Sequence, residues 1–296
     1  MDFAMLVIAV FDRDSFYAKR IARATERNGV ETTLVSWREL DETHLGHFDP
    51  NSDVIYFRTG APAAVRIARA FERAGFKTLN DSRYIQLSGN KYLANVVAAS
   101  NNIPTPALNV AVDKTNTELL SFYLRQTGAM VAKPIISRDM GRHVELIEDE
   151  DSLAVVSSIP GSTILLQSRV KFDRLVRTIV TADGMLTAAT TFDVVRSGWK
   201  ATVCENPLAQ AYTDVPDALI RLTNKTVKVF GGDIAFIDFF EQDGRFVFNE
   251  INHSCGLMHH ERITGYPIAK HLGDYLSKRY AAFVGPAAKH LVDMPD

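Results

Sequence analysis

The sequence predicts a protein that begins with a small parallel α/β domain and continues into a longer region of mixed strands and helices. Short apolar runs alternate with amphipathic helical stretches over the first eighty or so residues, the pattern of βαβ units. Farther on, "DIAFIDFFEQDGRFVFNEINHSCGL", residues 233–257, begins as two apolar strands around a turn. The chain has 296 residues, 46% of them apolar and 23% charged, which suits a soluble globular protein with room for two or three lobes.

The N-terminal elements follow in order. "AMLVIAVF", residues 4–11, is apolar throughout and reads as a strand buried on both faces. "DSFYAKRIARATERNG" has helical periodicity, with Gly29 as its C-terminal stop. "VETTLVSW" and "SDVIYFR" read as strands. "APAAVRIARAFERAG" is a second amphipathic helix, with Pro62 at its start and Gly75 at its end. "KTLND" closes the domain as a short strand.

Residues 89–102 form a helix that "IPTPAL" terminates, because proline holds the residue before it in extended backbone. "NTELLSFYLRQTG" is a helix ending at Gly128. "AMVAKPI" and "HVELIED" are strands joined by the polar loop "ISRDMGR". "SLAVVSSI" reads as a helix, and "STILLQSRV", "RLVRTIVTADG" and "MLTAATTFDVV" read as strands. "PDALIRLTNKTVKVFGG" is a long amphipathic helix leading into the hairpin, and "YPIAKHLGDYLSKRYAAFVG" is the final helix.

Composition excludes several classes. A net charge of −2 gives no basic excess for nucleic acid. Two cysteines, Cys204 and Cys255, are too few for a disulfide framework, so a reducing compartment is the default. No apolar run is long enough to span a bilayer, and the N-terminal run lacks the basic flank of a signal peptide. The expected location is the cytoplasm.

The hairpin poses the chemical question. Asp238, Glu250 and Asn252 sit inside apolar strands, where an unpaired charge costs several kcal/mol. With a three-residue loop, Gln242 to Gly244, all three side chains fall on one face. A two-residue loop would put Asp238 on the opposite face from the other two. The three-residue loop is therefore expected. Two readings fit such a cluster: ion pairs with nearby lysines or arginines, or hard oxygen ligands for Mg²⁺.

This spacing resembles the metal-binding end of the ATP-grasp carboxylate–amine ligases. Upstream, "LNDSRYIQLSGNKYLANVVAASNNIPTP", "MVAKPIISRDMGRHVELIED" and "LLQSRVKFDRLVRTIV" are similar to that family's lysine helix, phosphate-binding strand with glycine loop, and adenine hinge. "FDRD", "KPIISRDMGR" and "NEINH" look closest to its RimK-type branch, and within it to the lysine- and arginine-biosynthesis ligases. The resemblance covers about residues 75–280. It implies the ATP-grasp fold: an N-terminal parallel α/β domain (1–87) and two α+β lobes (88–165 and 166–296) enclosing ATP. It also implies phosphoryl transfer from ATP to a carboxylate, followed by attack of an amine on the acylphosphate. In the nearest members the carboxylate is the C-terminal Glu of a small carrier protein and the amine is an amino acid.

The resemblance also assigns roles. Lys91, Lys133 and Gly141 would hold phosphates. Gln167, Ser168, Arg169 and Val170 would read adenine, with Asp173 on the ribose. Arg177, Arg196 and Lys200 would serve catalysis. Asp238, Glu250 and Asn252 would hold two Mg²⁺ ions, with Mn²⁺ as a substitute, and Glu250 would bridge them. Apart from the resemblance, Arg13 and Arg58 stand at the ends of N-domain strands, the ligand side of a parallel sheet, and are expected to recognise an acidic substrate. His253, Ser254 and Gly256 follow the metal residues and are expected at the acceptor site, with backbone N–H groups on a carboxylate. The chain departs from the family pattern at Ser168, Leu175 and Thr202. A zinc site from His253, Cys255, His259, His260 and Glu261 fits no standard spacing. Cys255 as a nucleophile lacks an identifiable base. Expected partners are an amine, a carboxylate (a small carrier protein or peptide among the candidates) and a second copy of the chain. Alternative functions are a peptide-modifying or dipeptide ligase, and a nucleotide-binding protein without catalysis.

Overall fold

The structure is a computed structural model that describes residues 4–136, 143–194, 198–201 and 209–285. Three sheets organise it. The first is parallel, built from β1 (Leu6–Val10), β2 (Thr32–Ser36), β3 (Val54–Phe57) and β4 (Lys77–Leu79) in the order β2-β1-β3-β4. Every residue of β1 and β3 is buried, as their continuous apolar runs require of central strands. Helices α1 (Phe16–Glu26) and α2 (Pro62–Arg73) supply the crossovers, with Pro62 in the first turn of α2.

Two short helices link this domain to the next sheet. Asp81 caps α3 (Ser82–Ser88) by accepting from Tyr84 N–H at 2.7 Å, and Asn90 caps α4 (Lys91–Ser100) by accepting from Leu93 N–H. The second sheet is antiparallel, order β5-β8-β6-β7, from β5 (Asn109–Asp113), β6 (Met130–Pro134), β7 (Glu145–Ile147) and β8 (Thr163–Ser168). Helix α5 (Thr117–Thr127) ends at Gly128, whose φ of 72° suits a residue without Cβ. The helix expected at "SLAVVSSI" is a 3-10 segment, Asp151–Ser158. There the Ser157 and Ser158 hydroxyls donate to carbonyls three residues back and compete with regular helix bonding. The border expected at residue 166 falls inside β8, which belongs to this second sheet.

The third sheet, also antiparallel, has the order β11-β10-β9-β12-β13. Its strands are β9 (Arg174–Thr181), β10 (Gly184–Asp193), β11 (Ala209–Ala211), β12 (Ile234–Gln242) and β13 (Arg245–Asn252). Helix α6 (Asp217–Phe230) packs on one face. Helices α7 (Leu257–Thr264) and α8 (Ile268–Val284) follow β13. The α7 helix lies in a stretch not expected to be helical.

The hairpin differs from expectation in an instructive way. Gln242 pairs with Arg245, so the loop is the two residues Asp243 and Gly244, at φ of 51° and 72°. Two left-handed residues and an Asp-Gly pair are the signature of a type I′ turn. In regular register that turn would set Asp238 opposite Asn249. Instead the ladder shifts between Asp238 and Phe239: Phe239 faces Phe248, and Asp238 faces Glu250. Asn249 is the extra residue of a β-bulge. The bulge restores what the turn would have lost, and Asp238, Glu250 and Asn252 share a face.

The parallel domain is locked to the third sheet. Asn80, fully buried at φ 54°, accepts through Oδ1 from Asp233 N–H (2.9 Å) and Ile234 N–H (3.0 Å), and donates through Nδ2 to Ile234 O (2.9 Å). Its own N–H donates to Asp233 Oδ2 at 3.1 Å, and the Tyr275 hydroxyl donates to Asp233 Oδ1 at 2.9 Å. Helix α8 lies against α1 so closely that a Cβ on Gly273 would sit 2.5 Å from Ala24 Cβ. Asn80→Ala strands three buried backbone groups at about 1–3 kcal/mol each. It is expected to lower unfolding free energy by at least about 3 kcal/mol in a urea titration.

Candidate active site

A cavity of about 1010 Å³ opens where the three sheets meet. The parallel domain contributes the loops at the C-terminal ends of β1 and β3, the ligand side of a parallel sheet. The second sheet contributes Val131, Lys133 and Gln167–Arg169, and the third contributes Leu175, Arg177, Asp238, Phe240 and Asn249–Asn252.

A row of directly opposed residues runs across four strands, and its last three members, Arg177, Asp238 and Glu250, line the cavity. Thr190 faces Arg177, Arg177 faces Asp238, and Asp238 faces Glu250. Opposed residues share a sheet face, so the order β10-β9-β12-β13 brings these side chains into one line. Arg177 grips Asp238 with two parallel bonds, Nε to Oδ1 at 2.6 Å and Nη2 to Oδ2 at 2.5 Å. Asp238 is only 1% exposed. Burial pushes its carboxyl up to about 6 while Arg177 pulls it down. Burial also lowers Arg177, but the Asp238 charge outweighs it and holds the guanidinium above its usual range. The pair is therefore charged at neutral pH.

Glu250 takes an ion pair from Lys91 and accepts from Asn252 Nδ2 at 3.1 Å. Burial pushes Glu250 up, but Lys91, Lys133 and Arg177 outweigh it and hold the carboxyl well below the usual range. Lys91 stands at the first turn of α4, whose start is tied down by its own N–H donating to Ile135 O at 2.9 Å. Lys133, on β6, is 5% exposed and donates to Asn249 Oδ1 at 3.2 Å. Burial, with repulsion from Lys91, lowers Lys133 to about 7, against the pull of Glu250. Both of the readings left open by the sequence are thus present in the geometry: the carboxylates carry cationic partners, and they also converge on a cavity.

The donor set fits a hard divalent cation. Asp238 and Glu250 offer carboxylate oxygens, each with a lone pair beyond its present bond. Asn252 turns its amide nitrogen to Glu250, which leaves its amide oxygen as the available donor. Lys91 and Arg177 balance the negative charge that a cation would otherwise meet.

The other expected residues divide. Lys200 lines the cavity and donates to Val144 O at 3.3 Å, and burial lowers its ammonium despite Glu145. Gln167, Ser168, Arg169 and Val170 line it too. However, the N–H groups of Ser168 and Arg169 are already bound inside the sheet, to Leu108 O and Ala129 O, so adenine contacts cannot come from those two donors. Asp173 does not line the cavity; it accepts from Asp243 N–H at 3.3 Å and braces the hairpin turn instead. Phe172 and Phe240, with ring centroids 4.5 Å apart, form apolar wall there. Arg13 is exposed and outside the cavity lining, whereas Arg38 and Arg58 are part of it. Arg58 Nη2 donates to Cys255 O at 3.2 Å, which ties the β3 loop to residues 253–256. Gly60 is forced there, since a Cβ would lie 2.3 Å from His253 Nδ1. Gly141, Arg196 and Thr202 lie outside the described residues.

No zinc set assembles. His260 is buried with Nδ1 2.9 Å from Thr190 Oγ1, His259 stacks on Phe192, and Glu261 binds Arg20 and Ala269 N–H. Among the described residues no group of three or more His, Cys, Asp or Glu is placed to hold a metal. Asn249 escaped sequence reasoning, although two adjacent polar residues, Asn249 and Glu250, in a strand of period two already signal a bulge.

The model of the RimK-like ATP-grasp domain matches residues 88–276. The glutamate–LysW ligase ArgX of Sulfurisphaera tokodaii is 23% identical over 289 residues, covering 94% of this chain and all of ArgX. The α-aminoadipate–LysW ligase LysX of Saccharolobus solfataricus is 26% identical over 211 residues, covering 68% of this chain and 74% of LysX. Among solved structures, the ATP-grasp ligase PsnB, complexed with a phosphomimetic variant of its minimal precursor, Mg and ADP, superposes with a TM-score of 0.68. It is 15% identical and covers 96% of this chain and all of its own. The chain belongs to the RimK-like ATP-grasp family. ATP-grasp ligases use ATP and Mg.

His260 gives the site a pH dependence of stability. Burial first, then the Arg177 and His259 charges, lower it from 6.5 to about 3. Between those values the unfolded chain binds the extra proton, so stability falls as pH drops below 6.5. Urea titrations at pH 7 and pH 5 should show the native protein losing about 2 kcal/mol more than His260→Gln. Equal losses would contradict the assignment.

Proposed function

We propose that this protein is an ATP- and Mg²⁺-dependent ligase that joins a carboxylate to an amine through an acylphosphate. The observation that carries the reading is the row Arg177–Asp238–Glu250, its first two members buried, facing a cavity that Lys91 and Lys133 also line.

Lys91 and Lys133 receive the nucleotide's phosphates, and the apolar wall of Val131, Leu175, Phe172 and Phe240 takes its base. Asp238, Glu250 and Asn252 would hold two Mg²⁺ ions, which would supply charge screening between the phosphate and an approaching carboxylate. A carboxylate oxygen takes the γ-phosphoryl group and ADP is formed. The amine then attacks the acyl carbon, its proton is lost, and inorganic phosphate leaves. Arg177 holds Asp238 in place with one edge of its guanidinium and keeps a positive charge beside the reacting oxygens. Lys200 adds a further cation to the cavity lining.

The substrate end lies toward the parallel domain. Arg58 and the backbone of Ser254–Gly256 suit a carboxylate-bearing amino acid, and His253 is packed against Gly60 at the same wall. Similarity to LysW ligases supports an amino acid as the amine and the C-terminal Glu of a small carrier protein as the acyl donor.

Incubation with ATP, Mg²⁺ and pools of amino acids and acidic peptides or carrier proteins should yield ADP and a product lighter by one water than its two parts. Mass spectrometry reads both. Glu250→Ala should cut turnover at least about 100-fold with an unchanged circular dichroism spectrum. Full turnover in that variant would remove the metal role.

A further inference from the structure

We infer that Asn249 is a positioning residue: its amide oxygen aims the Lys133 ammonium at the phosphate end of the cavity. The inference rests on the ligase reading above and adds a residue to it.

Four observations carry it. Asn249 is the inserted residue of the bulge, and both it and Glu250 line the cavity. Its Oδ1 accepts from Lys133 Nζ at 3.2 Å, a bond that crosses from the third sheet to the second. The backbone does not require asparagine there. Among the described residues the non-glycine positions at positive φ are Asn80, Asn102, His143 and Asp243. A bulge residue outside that region accepts apolar side chains. Finally, the two lysines are divided between different acceptors, Lys91 on the Glu250 carboxylate and Lys133 on the Asn249 amide.

That division has a physical consequence. A neutral acceptor orients the Lys133 head group without committing it to a fixed negative charge, so it stays available to the phosphates, whose own charge favours its protonated form. A carboxylate at 249 would hold Lys133 in an ion pair and set a third negative charge beside Asp238 and Glu250. A hydrocarbon side chain would leave the ammonium free to rotate in a site that solvent barely reaches.

The test is a double-mutant cycle on ADP affinity, measured by calorimetry with Mg²⁺ present. Asn249→Leu should weaken ADP binding roughly tenfold, the worth of one hydrogen bond to a charged group. In turnover the loss should fall on KM for ATP rather than on kcat. In the Lys133→Met background the same substitution should change ADP affinity less than twofold. Asn249→Ser, too short to reach Nζ and small enough for any bulge, serves if the leucine variant fails to fold. An equal drop in both backgrounds, or none in either, overturns the inference while leaving the ligase reading intact. Absence of ADP binding by the native protein overturns both.

Discussion

The Arg177–Asp238 pair is the interaction on which the site depends. Strand order places arginine and aspartate directly opposite, the fork of two hydrogen bonds fixes both, and burial makes each necessary to the other. Removing one partner from such a pair costs about 3–5 kcal/mol, because the other charge is left in a low-dielectric interior. The carboxylate that faces the cavity is therefore held by protein at all times. Glu250 then joins the row from β13, and Lys91 balances it from a different part of the chain. The result is a charge-compensated cluster that tolerates burial before any ligand arrives, and whose cations are of the kind that phosphate can claim.

The same face is assembled from distant parts of the chain by backbone contacts that leave little freedom. Asn80 reads the backbone of Asp233 and Ile234 at the start of β12, the strand that carries Asp238. Tyr84, in the following helix, donates to Asn252 O at the end of β13. Phe248 N–H donates to Pro104 O at 2.7 Å, so the turn after α4 grips the residue just before the bulge. Lys91 and Glu250 meet because α4 is braced at its start against Ile135, just past β6, and beyond its end against Phe248 of β13. At the other side of the cavity, Gly60 and Arg58 press the parallel domain onto residues 253–255. The loops after β1 and β3, residues 253–256 and the end of β13 consequently form one continuous cavity wall.

Much of this was legible in the sequence, for identifiable reasons. The fully apolar run at residues 6–10 reads as a buried strand and residues 54–57 as another, and proline and glycine punctuation marked α2 and α5. The oxygen-bearing residues of the hairpin stood out because an acid in an apolar strand needs a partner, either a cationic side chain or a metal, and the cationic partners Arg177 and Lys91 are in place. The hairpin register was not legible from alternation alone. Asp243-Gly244 is a stronger signal than the loop count suggested, and the Asn249-Glu250 doublet was the mark of the bulge that reconciles a two-residue turn with a shared face. Asp173 and the amides of Ser168 and Arg169 were assigned to nucleotide by analogy of position. Their actual partners are long-range: Asp243 N–H, Leu108 O and Ala129 O. Pairings of that kind depend on how sheets meet, which local pattern does not encode. Helix α7 is likewise not legible from its polar, histidine-rich sequence, because His260 turns inward to pack and to bond Thr190 on β10.

The central claim is that the bulged hairpin presents Asp238, Glu250 and Asn252 together to a divalent cation beside a nucleotide. A crystal of the protein grown with ADP and Mn²⁺, measured at a wavelength where manganese scatters anomalously, tests it most directly. We expect anomalous peaks within bonding distance of oxygens from all three side chains and of the ADP phosphates, with Lys91 drawn away from Glu250. Manganese bound to phosphate alone, with the three side chains still turned to their protein partners, would contradict the account.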